Sequence, residues 1–438
     1  MNLDSNTISD TIDKDYKLYA NYTLSNRAIP SYIDGFKPVH RKLLWSMLNE
    51  HKGKKTKISD LGGISSIGYH HGETSAMGAA ITLAASWNNN VPIFKQHGAF
   101  GSRLVPAAAA PRYIFASLDE EFTKYFTDFD VMEYDNKDED SPEPISYLPN
   151  IPWVLVNGIE GIAVGFACKY LPHAPSTLAK ACRMELDGKL KDTAVIKPTF
   201  PNFRGEIEIN DHNKFTTYGI TERIKRNTWL IDELPFGITR EKYFKILNKM
   251  EQDGAIIDFE DECAKQFKFI IKLNTKQDSI CEQDPIKYFK LSKSFTENYT
   301  ALDENGELVI FDNKVQIIKR FVKYRLKKIG DQLEFDKGKI NKELDWLHAK
   351  LKFVKDVLND VINFKSITRK QLTTYCVENY SNDEKIVSRL VNTSIVDITK
   401  DSVKDLENKI KDKDTELKLI SKRVPSDELY ERLNELAK

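Results

Sequence analysis

Long apolar runs are missing from this chain. No hydrophobic stretch approaches the roughly 18 residues that a membrane-spanning helix needs, so we expect no transmembrane segment. The first residues are polar and acidic, and we therefore expect no signal peptide. A chain of 438 residues is too long for one core of ordinary size, so two or three domains are predicted.

Cysteine is scarce as well. The five cysteines are scattered, with no CxxC pair and no histidine at a metal-ligand spacing. An odd number of isolated thiols excludes a disulfide framework and is typical of a protein kept reduced in the cytoplasm. The expected location is therefore cytoplasmic.

The chain carries no net charge, since 65 basic side chains balance 65 acidic ones. The charges are nevertheless segregated. Residues 27–57 hold eight Lys or Arg against two acidic residues, whereas residues 119–143 hold eleven Asp or Glu against two Lys. Such blocks can present a basic surface to a polyanion. By charge alone, two solvated surface segments remain the simpler interpretation.

The first third of the chain has a helix, loop, helix and extended-segment pattern. Residues 1–26 form a predicted N-terminal helical arm. In "DGFKPVHRKLLWSML" a turn precedes an amphipathic helix, and Pro38 suits the first helical turn. A second helix is expected in "GETSAMGAAITLAASW", capped by Thr74 or Ser75. With the extended "VPIFKQHGAFGSRLVP", this predicts a winged-helix (helix-turn-helix) domain over residues 27–145.

The remaining two thirds predict two further domains, making the chain a multidomain α+β protein. Over residues 146–312, strand-like runs alternate with helices, which is typical of an α+β domain. From Val315 to Ile362 apolar residues recur every three or four positions, and a shorter seam runs from Val403 to Ile420. Residues 313–438 are therefore predicted to form a long antiparallel coiled coil with a compact tip around 363–400. A helical bundle in a compact domain is the alternative.

Six short motifs share one resemblance. They are "NRAIPSYIDGFKPVHRK", "GYHHGE", "GAFGSR", "AAAAPRYIF", "YLPNIPWVLVNGIEGIAVG" and "LPH". In order and spacing they resemble the DNA breakage-reunion subunit of type IIA topoisomerases, and the joined "YHHGE" and "PRYIF" forms are closer to its eukaryotic and tailed-phage branch. The resemblance covers the chain from about residue 16 onward. It also implies that the chain stops at the coiled coil, without the DNA-wrapping domain of gyrase.

The resemblance implies that Tyr113 is the nucleophile, forming a 5′-phosphotyrosyl link, and that Arg112 stabilises charge. A tyrosine beside an arginine is by itself usually an ordinary helix surface. The chemistry nevertheless fits, because a covalent intermediate preserves the energy of the cut phosphodiester. A free phenol has a pKa near 10, and a fixed guanidinium favours both the phenolate and the charged transition state. Pro111 departs from the residue usual in the family and is expected to make Ala110 extended.

The resemblance also assigns the other candidate residues. Arg27 corresponds to a second arginine at the scissile phosphate, supplied beside the tyrosine of the partner protomer. His71 corresponds to a histidine that hydrogen-bonds a phosphate oxygen, with His70 next to it. The predicted phosphate contacts that position DNA are Lys37, His40, Arg41 and Lys42.

Ile162 corresponds to the apolar wedge that enters between base steps and bends the duplex. Its sequence pattern alone favours a core position, and only the resemblance indicates the wedge. The same resemblance implies that the partners are double-stranded DNA and a second copy of the chain, bound through the winged-helix region and a C-terminal dimerisation gate.

No nucleotide or metal motif accompanies these residues. The chain has no P-loop, no nucleotide site of the GHKL type and no Toprim signature, and "DFEDE" at 258–262 lies outside a Toprim context. No metal site is therefore predicted here. Mg²⁺ and ATP are expected on a large partner subunit with ATPase and Toprim regions, with a further small subunit possible.

Two other functions fit part of the pattern. A tyrosine recombinase also forms a tyrosine–phosphate link, but its chemistry needs Arg and His-x-x-Arg before a tyrosine near the C-terminus, and here the candidate lies in the first third. A non-enzymatic winged-helix DNA-binding protein with a dimerising coiled coil is the main alternative. Only the Arg112–Tyr113 pair together with Arg27 and His71 argues against it.

Overall fold

The structure is a computed structural model that describes residues 11–66, 72–135, 143–363 and 367–437. The chain divides into two compact units. The first contains the chain up to Arg325 and from Tyr430 onward, and the second contains Leu326–Leu429. None of the described helices combines the length and the hydropathy of a membrane span.

The first unit is mixed α and β. Its helices are α1 (Lys17–Thr23, between π-helical turns Thr11–Tyr16 and Leu24–Ala28), α2 (Pro38–Asn49), α3 (Ile58–Ser65), α4 (Glu73–Ala84), α5 (Phe122–Tyr125), α6 (Pro175–Leu186), α7 (Arg240–Gln252), α8 (Thr275–Cys281) and α9 (Pro285–Tyr288). Pro38 occupies the first turn of α2, as predicted. Helix α4 begins at Glu73 with Gly72 at its N-cap, so the predicted Thr74 or Ser75 cap is wrong.

All strand pairs in the described sheets are antiparallel. The strands are β1 (Thr56–Lys57), β2 (Phe94–His97), β3 (Phe115–Leu118), β4 (Tyr134–Asp135), β5 (Glu143–Pro144), β6 (Ile159–Ile162), β7 (Ala167–Tyr170), β8 (Ile207–Asp211), β9 (Lys214–Tyr218), β10 (Ile220–Lys225), β11 (Thr228–Glu233), β12 (Asp258–Asp261), β13 (Phe269–Lys272), β14 (Ser292–Thr296), β15 (Thr300–Leu302) and β16 (Leu308–Ile310). Their sheet orders are β1-β3-β2, β10-β11-β13-β12 and β14-β9-β8, with the pairs β4-β5, β6-β7 and β15-β16.

Helices α2, α3 and α4 pack on one another beside the β1-β3-β2 sheet. A Cβ at Gly62 of α3 would lie 2.6 Å from the Met77 side chain, so the small residue lets α3 and α4 approach closely. The sheet β10-β11-β13-β12 has its own apolar core, in which Trp229, Tyr243 and Phe269 are buried. The predicted α+β character of this region is confirmed.

A long helix, α10 (Lys314–Leu358), begins in the first unit and continues into the second. Helix α10 covers most of the apolar seam predicted from Val315 to Ile362. It ends a few residues earlier than predicted, shortly before Asp360, which adopts a positive φ of 61°. In the second unit it is followed by α11 (Arg369–Asn379), α12 (Glu384–Val391) and α13 (Lys400–Lys422). The division between the units falls inside α10, after the boundary predicted at residue 313.

Helices α10 and α13 run antiparallel in the second unit. Lys355 pairs with Glu407 at 2.7 Å and Glu343 pairs with Lys413 at 3.0 Å, so the partner number rises as the α10 number falls. Apolar side chains of both helices, including Leu347, Val354 and Leu406, share one core with α11 and α12. The second unit thus contains two antiparallel helices packed with α11 and α12 around one core, and the predicted coiled-coil arm stays a prediction.

The last helix, α14 (Pro425–Leu436), returns to the first unit. There Arg432 donates to Asp128 Oδ2 at 2.7 Å, and Arg325 donates to the same oxygen at 2.6 Å. These arginines lie close to the points where the chain leaves and re-enters the first unit. One buried carboxylate therefore ties together two helices that are far apart in sequence.

Candidate active site

Tyr113 is the last residue of a short 3₁₀ turn. Pro111–Tyr113 form a single 3₁₀ turn after an extended Ala110, and the Tyr113 N–H donates to the Ala110 carbonyl at 2.9 Å. The following Ile114 is buried, whereas the Tyr113 side chain is 64% exposed. The predicted influence of Pro111 on Ala110 is confirmed. The turn is thus followed by a buried residue and presents the phenol to solvent.

Arg112 lies against the Tyr113 ring. Its guanidinium carbon is 4.7 Å from the ring centroid, within the range of a cation–π contact. Both residues are exposed, so the cation and the phenol face the same solvent region. A cation held there can bind an anionic group brought to it.

Lys55 and Lys57 lie beside the start of the strand that follows Tyr113. The strand β3 that follows Tyr113 pairs Phe115 with Lys57 of β1. Lys55 Nζ lies 5.0 Å from the centroid of the Phe115 ring. The sequence motifs assign no role to these two lysines, although they belong to the basic block of residues 27–57.

Arg27 and Ile162 lie on two segments in direct contact. Arg27 is exposed at the end of a π-helical turn, and the next residue, Ala28, is buried. The Ala28 carbonyl packs on Gly161 of β6 so closely that no Cβ fits between them. Ile162 ends β6 and is 80% exposed, so the core position favoured by its pattern is wrong.

Lys37 and His40 mark the start of α2. The Lys37 N–H donates to His40 Nδ1 at 3.5 Å, and Lys37 Nζ donates to the Glu160 carbonyl of β6 at 2.8 Å. Burial lowers the pKa of Lys37. Burial, with the charges of Lys37 and Arg41, lowers the pKa of His40 to about 3, so His40 is neutral at neutral pH.

Two predicted phosphate contacts have acidic partners inside the fold. Arg41 binds Asp34 with two nitrogens, at 2.8 and 3.0 Å, and its side chain is only 12% exposed. Asp34 is fully buried and also accepts the backbone N–H groups of Phe36 and Tyr147. Lys42 pairs with Glu143. Arg41 and Lys42 therefore have acidic partners within the fold, and their predicted phosphate contacts stay a prediction.

Arg103 of the "GAFGSR" motif anchors the segment that leads to Tyr113. Its guanidinium makes two bonds to the buried carboxylate of Glu233, at 2.9 and 3.1 Å, and one to the Asn202 carbonyl at 2.8 Å. The guanidinium carbon also lies 5.1 Å from the centroid of the Phe267 ring. The motif carries part of the family resemblance, but sequence reasoning gives Arg103 no role. The sequence nevertheless contains a clue, because Arg103 ends one of the six motifs that carry the resemblance.

His70 and His71 lie outside the described residues. Within the described ranges, no group of three His, Cys, Asp or Glu side chains is arranged to hold a metal ion. The residues described around Tyr113 are cationic and aromatic, whereas Mg²⁺ prefers carboxylate and water oxygens. These residues alone therefore do not fit a Mg²⁺ ion.

The described site combines an exposed tyrosine, an arginine over its ring and an exposed isoleucine at the end of a hairpin strand. The chain belongs to the family of the DNA gyrase/topoisomerase IV A subunits, whose model matches residues 27–436. The medium subunit of the DNA topoisomerase of Enterobacteria phage T4 is 37% identical to it over 434 residues, covering 95% of each chain.

More distant relatives are also DNA topoisomerases. The mitochondrial DNA topoisomerase 2 of Dictyostelium discoideum is 28% identical over 96% of this chain, which spans 34% of that larger protein. The solved DNA-binding, cleavage and re-ligation domain of Plasmodium falciparum topoisomerase II superposes with a TM-score of 0.86 at 26% identity, over 98% of this chain and 64% of that one. The resemblance to type IIA breakage-reunion subunits is confirmed, and the non-enzymatic alternative is not favoured.

Proposed function

We propose that Tyr113 cuts DNA by attacking a backbone phosphorus with its phenolic oxygen. A bond forms between that oxygen and phosphorus, the bond to the 3′ oxygen breaks, and the phenolic proton is passed on as the 3′ hydroxyl is released. The product is a transient 5′-phosphotyrosyl link in each strand, and a second duplex passes before the reverse reaction religates the break. The observation that carries this proposal is the exposed Tyr113 ring with the Arg112 guanidinium 4.7 Å from its centroid.

The neighbouring cations have distinct roles in this proposal. Arg112 stabilises the phenolate and the phosphate charge, which grows in the transition state. Arg27 of the partner protomer and His71 contact the same phosphate, as the family resemblance implies. Lys55 and Lys57 supply contacts to phosphates flanking the cut. Lys37, Arg41 and Lys42 already have partners within the fold, so the phosphate contacts predicted for them would be made in addition to these.

We infer that the first unit contains the winged-helix and tower domains. The helices α3 and α4 with the β1-β3-β2 sheet correspond to the winged helix, and the sheets built from β8–β14 correspond to the tower. Ile162 is the wedge of this arrangement, because a large apolar side chain 80% exposed at a hairpin end can enter between base steps.

We infer that the tip of the second unit forms a dimerisation gate. Apolar side chains are exposed there, with Val396 at 81%, Val361 at 59% and Val377 at 41%. The inference rests on the family resemblance, and these three exposed valines are the candidate contact residues. A homodimer supplies the two tyrosines needed to cut both strands, and sedimentation of the chain at micromolar concentration tests it.

Mg²⁺ and ATP are assigned to a partner subunit with ATPase and Toprim regions, working in the cytoplasm of a bacterial host. Such a metal stabilises charge on the phosphate and the leaving oxygen. The chain alone should therefore bind DNA without appreciable cleavage, ATPase activity or strand passage. Adding the partner subunit should restore all three.

The decisive experiment traps covalent DNA with detergent in the complete complex. Tyr113→Phe should abolish the trapped product and leave DNA affinity nearly unchanged, because it removes one hydroxyl. Arg112→Ala should reduce cleavage by about 10²–10³, the usual cost of losing a preorganised donor. Tyr134→Phe, a partly exposed tyrosine elsewhere in the first unit, is the matched control and should cleave normally. Covalent DNA formed by Tyr113→Phe would show that the nucleophile is another residue.

A further inference from the structure

Asn157 binds the backbone of Val91 as a neighbouring β-strand would. Its Oδ1 accepts the Val91 N–H at 2.9 Å, and its Nδ2 donates to the Val91 carbonyl at 2.7 Å. Asn90 reinforces the contact from the other side by donating to the Val156 carbonyl at 3.1 Å. Two segments 66 residues apart in sequence are thus joined by side-chain amides.

One of these segments leads to the nucleophile. Three residues after Val91 the chain enters β2, which pairs along its whole length with β3, ending at His97 opposite Phe115. Strand β3 begins two residues after Tyr113. The Ile93 carbonyl also accepts the N–H of Asp119, at the far end of β3. A displacement of Val91 therefore passes directly into the sheet that supports Tyr113.

The other segment leads to the exposed apolar tip. Gly158, with φ of +69°, turns the chain from Asn157 into β6, which ends at Ile162. A Cβ at Gly158 would lie 2.5 Å from the Tyr170 carbonyl, so the turn is packed against the β7 end of the same hairpin. Asn157, together with Asn90, therefore fixes the base of the hairpin to the segment entering β2.

We propose that Asn157 is a positioning residue that couples DNA bending by Ile162 to the alignment of Tyr113. The inference rests on the proposed function, since it takes Ile162 as the wedge and Tyr113 as the nucleophile. When the hairpin tip enters the duplex, the force on β6 reaches the base of the hairpin. The paired amide bonds transmit it to Val91 and so to β2 and β3. Without Asn157 the hairpin still bends DNA, but the bend no longer aligns Tyr113 for attack.

The test is a double-mutant cycle on cleavage by the complete complex, with detergent-trapped DNA as the readout. Asn157→Ala should lower cleavage by about tenfold, within the range typical of coupling between sites, while DNA affinity and bending stay within about twofold. Ile162→Ala should lower cleavage in the wild-type background and add almost nothing in the Asn157→Ala background. Asn157→Asp keeps the acceptor for the Val91 N–H and loses the donor. Its cleavage should therefore lie between that of wild type and that of Asn157→Ala.

Asn89→Ala is the matched control. Asn89 also directs its amide to two carbonyls, of Thr82 at 2.6 Å and Ala85 at 2.9 Å, but both lie at the C-terminal end of the preceding helix α4. It should lower the thermal midpoint while keeping cleavage and the Ile162 effect. Multiplicative effects of Asn157→Ala and Ile162→Ala, or an Ile162→Ala variant that cleaves like wild type, would overturn the coupling. Cleavage by Tyr113→Phe would instead overturn the proposed function.

Discussion

Gly161 lies directly against Ala28, and a Cβ at Gly161 would be 2.0 Å from the Ala28 carbonyl oxygen. The residue before Ala28 is Arg27, and the residue after Gly161 is Ile162. Because no side chain fits in this space, the backbones of the segments that carry Arg27 and Ile162 lie in direct contact. The Lys37 bond to the Glu160 carbonyl, at 2.8 Å, holds the same strand from the other side.

Gly161→Ala should therefore separate Arg27 from Ile162. We expect cleavage to fall by up to about a hundredfold, the loss that a displacement near 1 Å can cause, with a smaller change in DNA affinity. Detergent-trapped cleavage and a DNA-binding titration measure the two effects. Gly338→Ala, in α10 with no atom near its Cβ position, is the control and should be neutral or slightly stabilising. Normal cleavage by Gly161→Ala would mean that the contact yields without moving either residue.

Ile162→Ala should reduce the bend of bound DNA. The side chain is exposed, so its truncation removes a wedge and leaves the protein core intact. Energy transfer between fluorophores on the two DNA ends measures the bend, and thermal unfolding should show an unchanged midpoint. A lower midpoint with an unchanged bend would indicate a packing role in solution.

Arg41→Gln should destabilise the protein by about 3–5 kcal/mol, because it leaves the buried Asp34 carboxylate without its charge partner. Where the variant is still folded, the dependence of DNA affinity on salt should match that of wild type. Lys55→Gln is the matched comparison on an exposed cation. It should barely change stability but reduce the salt slope by about one, as expected for one lost phosphate contact. Unchanged stability and a reduced salt slope in Arg41→Gln would instead show that Arg41 contacts a DNA phosphate.

His40 should make stability fall in mild acid. Folding lowers its pKa from 6.5 to about 3, so below pH 6.5 the unfolded chain binds a proton that the folded chain does not. The full contribution is present above pH 6.5 and is lost by about 1.4 kcal/mol per pH unit below it. His40→Gln keeps an acceptor for the Lys37 N–H and cannot titrate. Its unfolding free energy should therefore fall less between pH 7 and pH 5.5, and an equal fall would show that His40 is protonated in the folded state.

The sequence predicted the parts of the site that depend on neighbours along the chain. Pro111 led to the extended Ala110 and the turn that carries Tyr113, and Pro38 marked the start of α2. The apolar seam predicted α10 to within a few residues. Each of these features follows from backbone geometry or periodicity, which act over one or two helical turns.

The amino-acid sequence by itself also determined the family, because six motifs in a fixed order identify it far more specifically than composition does. Only the tertiary structure decided which cations face solvent and which are internal. Arg41 and Lys42 sit in the same basic block as Lys55, yet their partners Asp34 and Glu143 come from the turn before α2 and from β5. The exposure of Ile162 and the contact of Gly161 with Ala28 likewise depend on segments more than a hundred residues apart. The Arg41–Asp34 pair is local, with the two residues seven positions apart. The burial of Asp34 and the other contacts depend on segments distant in sequence, such as the one that carries Tyr147, and local patterns of residues do not contain them.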